Sequence, residues 1–141
     1  MGKKNTLNLG IKMSDFQDEL QFISKVFWFL FIDFGYKISY TKEFRKDHYC
    51  IGLTSDSSTL RIKFERELAP RWGVFIGNGL SFDGPLGKWI PVEKALTSLN
   101  ISVDYSELRE KKYYEQVRGS LHILANAIKP VFSDLKNLPL P

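Results

Sequence analysis

The stretch FQDELQFISKVFWFLFIDF, from Phe16 to Phe34, decides the fold of this chain. Its apolar residues recur at alternating steps of four and three, which is the spacing of one face of an α-helix. This main stripe consists of Phe16, Leu20, Ile23, Phe27, Leu30 and Phe34, and it is widened by Phe22, Val26, Phe29, Trp28, Phe31 and Ile32. Because the apolar surface exceeds a third of the circumference, one covering layer cannot bury it. The pattern therefore predicts a helix covered by a sheet on one side and by another element on a second side.

The flanking residues predict where this helix begins and ends. Ser14 and Gln17 match a capping box, and Gly35 is placed as a C-cap residue. Residues 1–13 show no periodicity, so we expect a flexible N-terminal arm.

Four segments with the period of two that marks half-buried strands follow the helix. Their predicted inward sets are Tyr36, Ile38 and Tyr40, then Tyr49, Ile51 and Leu53, then Leu60, Ile62 and Phe64, and finally Trp72, Val74 and Ile76. The breaks between them are too short for crossover helices, so an antiparallel meander is expected. The turn dipeptide Asn78-Gly79 predicts a short fifth strand over Leu80 to Phe82.

The C-terminal half predicts two helices. Pro91 suits the first position of a short helix that runs to Leu99. A long helix is expected to open near Asp104 or Ser106, and Pro130 is expected to bend it or to end it early. Its apolar stripe is Tyr114, Val117, Leu121, Leu124, Ile128, Val131 and Leu135. The expected fold is one α+β domain over residues 14–136, with the helices on one sheet face, the other face wet, and residues 137–141 as a tail.

Composition limits the class of protein. The chain has 141 residues, 43% of them hydrophobic and 14% aromatic, which fits one folded domain. The net charge is +4, but Lys3, Lys4 and Lys12 lie in the predicted arm, so the charge is weak evidence for an acidic partner. A single cysteine and the absence of a signal-peptide pattern or membrane-length apolar run predict a cytoplasmic protein without membrane attachment.

No catalytic, cofactor or metal signature stands out, so we expect a protein that is not an enzyme. His48 and Cys50 share a strand face, yet no third residue is identifiable that would orient a base or complete a metal site. A structural thiol and a surface histidine are the expected roles. Gly77-Asn78-Gly79 begins like a dinucleotide fingerprint, but Phe82 stands where the third glycine belongs.

The loop from Gly77 to Trp89 is the most informative candidate site. It is long and glycine-rich, and it sets two large aromatic residues among charged ones, as protein-binding surfaces do. We expect the partner-binding residues to be Asn78, Phe82, Asp83, Lys88 and Trp89, together with Arg61, Lys63 and Glu65 of the neighbouring strand. The alternative is that Phe82 and Trp89 fold back on the core. Small residues at Cys50, Gly52, Gly73 and Gly77 lower the outer sheet face, where they could seat a partner or permit twist.

The order of these elements resembles small bacterial immunity proteins that accompany polymorphic or contact-delivered toxins. The resemblance spans Phe16 to Ile90 and lies in the Phe-Gly-Tyr turn at Gly35, the strand RIKFERE from Arg61 and the strand RWGVFI from Arg71. It implies stoichiometric, non-catalytic inhibition of a cognate toxin in the cytoplasm. Immunity proteins against nucleases are often acidic, whereas this chain is basic, which either argues against a nuclease as the partner or places the contact on the acidic residues of this chain.

Two other functions remain open. One is a nucleic-acid-binding α+β domain that uses Arg61, Lys63, Arg66 and Arg71. The other is an enzyme or ligand carrier with a pocket between sheet and helices, lined by Tyr40, Tyr49 and Trp72.

Overall fold

The computed structural model describes residues 16–45, 48–66, 72–84 and 88–140. The predicted N-terminal arm, the Ser14 cap and Arg71 lie outside these residues. The described part is an α+β fold with a five-stranded antiparallel sheet in the order β1-β2-β3-β4-β5, which confirms the predicted fold class. The strands are β1 (Tyr36–Arg45), β2 (His48–Ser55), β3 (Ser58–Arg66), β4 (Gly73–Asn78) and β5 (Ile90–Pro91).

The opening helix is interrupted at Phe27, so the prediction of one continuous helix is wrong. Helix α1 covers residues 16–26, and α2 covers Trp28–Phe34. Residues two positions apart project to different sides of a regular helix. The break removes this restriction, because the rings of Phe27 and Phe29 lie 6.0 Å apart and are both buried in the core. As predicted, Gly35 ends α2 in the left-handed conformation, with φ +70°.

A β-bulge at Ser39 changes the predicted inward set of β1. Ile38 pairs with Leu53, but Tyr40 pairs with Gly52, so one residue of β1 has no partner between them. Because successive strand residues alternate between faces, one extra residue moves every later side chain to the opposite face. Tyr40 therefore lies on the sheet face opposite the helices and does not join Tyr36 and Ile38 on the inner face.

The inner face of the sheet packs against the opening helices and the C-terminal helices. Phe27 of the opening segment contacts Phe64 of β3 edge-on, with ring centroids 4.9 Å apart. Phe34 contacts Phe132 at 4.6 Å, which joins α2 to the C-terminal helices. The opening helices therefore contact the sheet on one side and the C-terminal helices on another, as the width of their apolar surface predicts.

The C-terminal half differs from the prediction in its boundaries. Helix α3 is Val92–Ser98, with Pro91 as its N-cap residue, and the long helix α4 is Tyr113–Ile128. Asp104 does not open α4, because its carboxylate accepts the backbone N–H of Ser106 at 2.9 Å in a separate turn that leads to the 3-10 helix Ser106–Leu108. A second 3-10 helix, Lys129–Val131, separates α4 from α5 (Phe132–Lys136) at Pro130, so of the two predicted effects of Pro130 the structure shows the early end of the long helix. In the predicted tail, Leu138 and Leu140 pack against the core.

A buried polar contact fixes α1 against the sheet and α4. Trp72 donates its indole N–H to the carboxylate of Glu19 at 3.2 Å, and Arg118 lies 3.5 Å from the other oxygen of that carboxylate. Glu19 is buried, so its charge requires these partners.

Candidate functional site

The outer face of the sheet, which lies opposite the helices, is covered by the covering loop (residues 79–89, of which 79–84 and 88–89 are described). Tyr40 stacks on Phe82 with ring centroids 5.5 Å apart, and Phe82 stacks on Trp89 at 5.6 Å. The three rings form an aromatic row across the outer face, and the bulge at Ser39 is what places Tyr40 in it. The predicted fifth strand over Leu80 to Phe82 is wrong, since these residues belong to the covering loop and β5 is Ile90–Pro91.

Two glycines of the outer face provide the space that the covering loop occupies. A Cβ atom on Gly52 would lie 2.6 Å from the ring of Phe82. A Cβ atom on Gly77 would lie 2.7 Å from Leu80 and 3.2 Å from Trp89. The space beside these two glycines is therefore occupied by the covering loop of the same chain. The sequence had suggested that it would receive a partner or permit strong twist.

Two cationic side chains of β3 lie beneath the aromatic row. The Lys63 ammonium is 4.5 Å from the Trp89 ring centroid, and the Arg61 guanidinium carbon is 5.5 Å from that of Phe82. Arg61 also donates a hydrogen bond to the carbonyl oxygen of Leu80 at 2.9 Å. Each contact has the geometry of a cation–π pair, worth about 0.5–2 kcal/mol depending on its exposure to water. The outer face is thus covered where the sequence predicted a wet surface.

Asp83 fixes the exposed side of the covering loop. Tyr40 donates its phenol hydrogen to the Asp83 carboxylate at 2.5 Å, and this bond raises the pKa of Tyr40 to about 12. Deprotonation would lose the hydrogen bond and place two negative charges together. The phenol therefore stays neutral at physiological pH and holds the loop against β1.

Of the eight predicted partner-binding residues, five contact one another or Tyr40 in this row, namely Phe82, Asp83, Trp89, Arg61 and Lys63. Lys88 precedes Trp89 in the covering loop, and Glu65 follows Lys63 by two positions on the same face of β3. Asn78 pairs with the core residue Leu60, so strand alternation places it on the inner face, away from the row. Asp83 and Lys88 are exposed, while Asn78, Phe82, Arg61 and Glu65 are half-buried. Lys63 and Trp89 are 1% and 5% exposed, so they support the surface from below. The Trp89 indole N–H is buried and has no acceptor among the described residues. The alternative prediction, that Phe82 and Trp89 fold back on the core, is wrong about the place. Both rings fold back, but they lie on the outer face of the sheet against Gly52, Gly77 and Lys63.

The other candidate sites are not assembled. Cys50 is buried, and loss of hydration raises the pKa of its thiol to about 11, so it carries little thiolate. His48 stacks on Phe44, with centroids 4.5 Å apart. Tyr49 and Trp72 are stacked and fully buried on the inner face, whereas Tyr40 lies on the outer one, so these three line no common pocket.

The proposed nucleic-acid surface loses two of its four cations. Lys63 and Arg66 are buried, and Arg71 lies outside the described residues. A phosphate backbone must reach basic side chains at the surface. Of the residues named for this function, Arg61 alone is described and partly accessible, and it is half-buried under the covering loop.

Sequence reasoning missed an exposed apolar ridge on α2. Trp28 and Ile32 are 57% and 62% exposed, although they were expected to widen the buried surface. On a helical wheel of about 100° per residue, Ile32 falls nearly opposite Ile23, and this signal could have identified it. Large exposed apolar side chains close together are typical of interaction surfaces.

Comparison of the chain with protein-family models, with curated proteins and with solved structures gave no match. Within the described ranges, no helix is long and apolar enough to cross a membrane. No group of three or more histidine, cysteine or acidic side chains in those same ranges could hold a metal ion.

Proposed function

We propose that this chain is a non-catalytic protein-binding module, an immunity or inhibitor protein that neutralises a cognate toxin domain by direct binding. The observation that carries the proposal is the covering loop, which is held to the outer face by the Tyr40–Phe82–Trp89 row and by the Asp83 hydrogen bond. Because Phe82, Asp83 and Trp89 are held by these contacts within the chain itself, their side chains lose little conformational entropy on binding a partner.

The chemistry of this surface suits a protein partner. Phe82 supplies a half-buried aromatic centre, and Asp83, Lys88 and Glu65 supply a rim with both signs of charge. An aromatic centre within a polar rim is the usual composition of a protein–protein contact. The mixed charge favours a protein surface over a polyanion, because a nucleic acid would be repelled by the two carboxylates.

The test is co-expression of the chain with the product of its adjacent gene in a bacterial host. If that product is a toxin, the wild-type chain restores growth and elutes with it as a stoichiometric complex. Lys88→Glu, an exposed change on the covering loop, weakens the complex at least tenfold. Lys129→Glu, the same charge change on an exposed site near the end of α4, leaves it intact.

Two results would refute the proposal. The first is a neighbouring product without toxicity that does not bind the chain. The second is a complex that Lys88→Glu and Lys129→Glu weaken equally, because that result would reflect net charge and not this surface.

A further inference from the structure

A second feature of the outer face is a cavity beside the covering loop, with both apolar and polar side chains in its lining. Its volume is about 600 Å³, within the range of about 300–1,000 Å³ that ligand pockets occupy. Tyr40 and Phe82 form part of one wall. Its polar lining includes two cations and one carboxylate, together with five serine or threonine side chains, namely Lys37, Arg61, Asp56, Ser39, Thr54, Ser55, Ser58 and Thr59.

Arg61 is the oriented cation of this cavity. One N–H group of Arg61 donates a hydrogen bond to the Leu80 carbonyl oxygen, and the Phe82 ring lies against the guanidinium. A guanidinium carries five N–H donors, so most of them remain available. Among the described residues, no carboxylate lies within ion-pair distance of Arg61. A fixed guanidinium without a carboxylate partner is well suited to bind one through two parallel hydrogen bonds.

The second cation, Lys37, is loosely held. Its ammonium lies 3.8 Å from Asp56, and both side chains are largely exposed. Exposed ion pairs of this kind are weak, so Lys37 is free to contact a ligand as well. With two cations and one carboxylate, the cavity is positive. Asp56 at its edge disfavours a dianion such as phosphate and leaves a single carboxylate as the better match.

The hydroxyl lining adds donors that the protein does not use. Ser39 and Thr54 form no side-chain hydrogen bond with the described residues. Ser39 is the bulge residue, so the same backbone irregularity that moves Tyr40 to the outer face also brings this hydroxyl to the cavity. A carboxylate has about four acceptor positions, and the guanidinium and these hydroxyls together can fill them.

We propose that this cavity binds the carboxylate of an acidic side chain that the partner protein presents. The inference rests on the proposed function and deepens it, because it identifies the partner as a protein with an exposed Asp or Glu opposite Arg61.

The test is an NMR titration of the full chain with N-acetylglutamate N-methylamide, a probe of one acidic residue. The neutral probe N-acetylglutamine N-methylamide has the same shape. The glutamate probe is expected to shift the signals of Thr54, Thr59 and Arg61 and to saturate, whereas the glutamine probe leaves them unchanged. Added salt weakens the binding, because the contact is between charges.

Variants separate the cavity from net charge. Arg61→Gln is expected to weaken the binding of the glutamate probe at least tenfold. Thr54→Val, which leaves the covering loop in place, is expected to weaken this binding several-fold. Arg45→Gln, the same charge change on an exposed site outside the cavity, has no effect. Equal binding of the two probes, or equal weakening by Arg45→Gln and Arg61→Gln, would overturn the proposal.

Three further outcomes separate this inference from a small-molecule site and from the proposed function. If free succinate or inorganic phosphate binds at least tenfold more tightly than the glutamate probe, the cavity is a small-molecule site and the inference fails. If the chain takes up the glutamate probe but does not bind the product of the adjacent gene, the proposed function fails and the carboxylate site remains. If the complex forms and Arg61→Gln leaves its affinity unchanged, the inference alone fails.

Discussion

Replacement of Gly52 by alanine tests the seating of the covering loop. The added Cβ would lie 2.6–2.7 Å from three atoms of the Phe82 ring, closer than non-bonded carbon atoms approach, so the ring must move by nearly 1 Å or leave the sheet. Overpacking of this kind costs about 1–3 kcal/mol. We expect Gly52→Ala to lower the free energy of unfolding by that amount.

The matched control is the same change in a Phe82→Ala background. Without the ring, the new methyl group meets no obstacle from the loop, and alanine is more stable than glycine in a strand by about 0.5–1 kcal/mol. The effect of Gly52→Ala is therefore expected to change sign between the two backgrounds. Urea denaturation of the four proteins, followed by tryptophan fluorescence, measures the coupling. Equal costs of Gly52→Ala in both backgrounds would show that Phe82 does not rest on Gly52.

Three further predictions concern stability. Burial raises the pKa of Cys50 from 9.0 to about 11 and that of Tyr36 from 10.0 to about 12, so the unfolded chain loses these protons at a lower pH than the native state. The free energy of unfolding is therefore expected to fall as the pH rises from about 9 to about 12. A constant value in urea titrations over this pH range would contradict the prediction. Ile32→Ser on the exposed ridge is expected to change the free energy of unfolding by less than about 0.5 kcal/mol. Leu30→Ala, in the core-facing side of the same helix, is expected to lower it by about 2–5 kcal/mol. Similar shifts of the melting temperature for the two variants would place Ile32 in the core. Glu19→Ala removes the acceptor of the buried Trp72 indole N–H and is expected to lower the free energy of unfolding by about 1–3 kcal/mol. Glu19→Gln is expected to lower it less, because the amide oxygen can still accept this hydrogen bond. Equal losses of stability in denaturant titrations would count against the Trp72–Glu19 hydrogen bond.

The general architecture could be predicted because it depends on periodicity. Burial on a definite side is required both by the helical stripe through Ile23, Phe27 and Leu30 and by the alternation in the strands. The breaks between the strands are too short for crossover helices, so an antiparallel meander is the expected topology. Gly35 and Pro130 could be predicted for a similar reason, since each residue type restricts its own backbone.

The two features that form the candidate site depend on tertiary contacts. Nothing local distinguishes Ser39 as a bulge residue, yet this bulge carries Tyr40 to the outer face. Gly52 and Phe82 are also distant along the chain, and only the folded structure shows that the missing side chain of Gly52 leaves room for the Phe82 ring. The interruption at Phe27 is also tertiary in origin, because it allows Phe29 to enter the core beside Phe27.

The most direct test of the account is amide hydrogen exchange of the chain with and without the product of its adjacent gene. The account predicts added protection at residues 78–84 and 88–89 and in β1–β3, where the covering loop and the cavity lie, with little change on α2. Protection confined to α2 around Trp28 and Ile32, or no protection at saturating concentration of that product, would contradict the claim that the covered outer face is the binding surface.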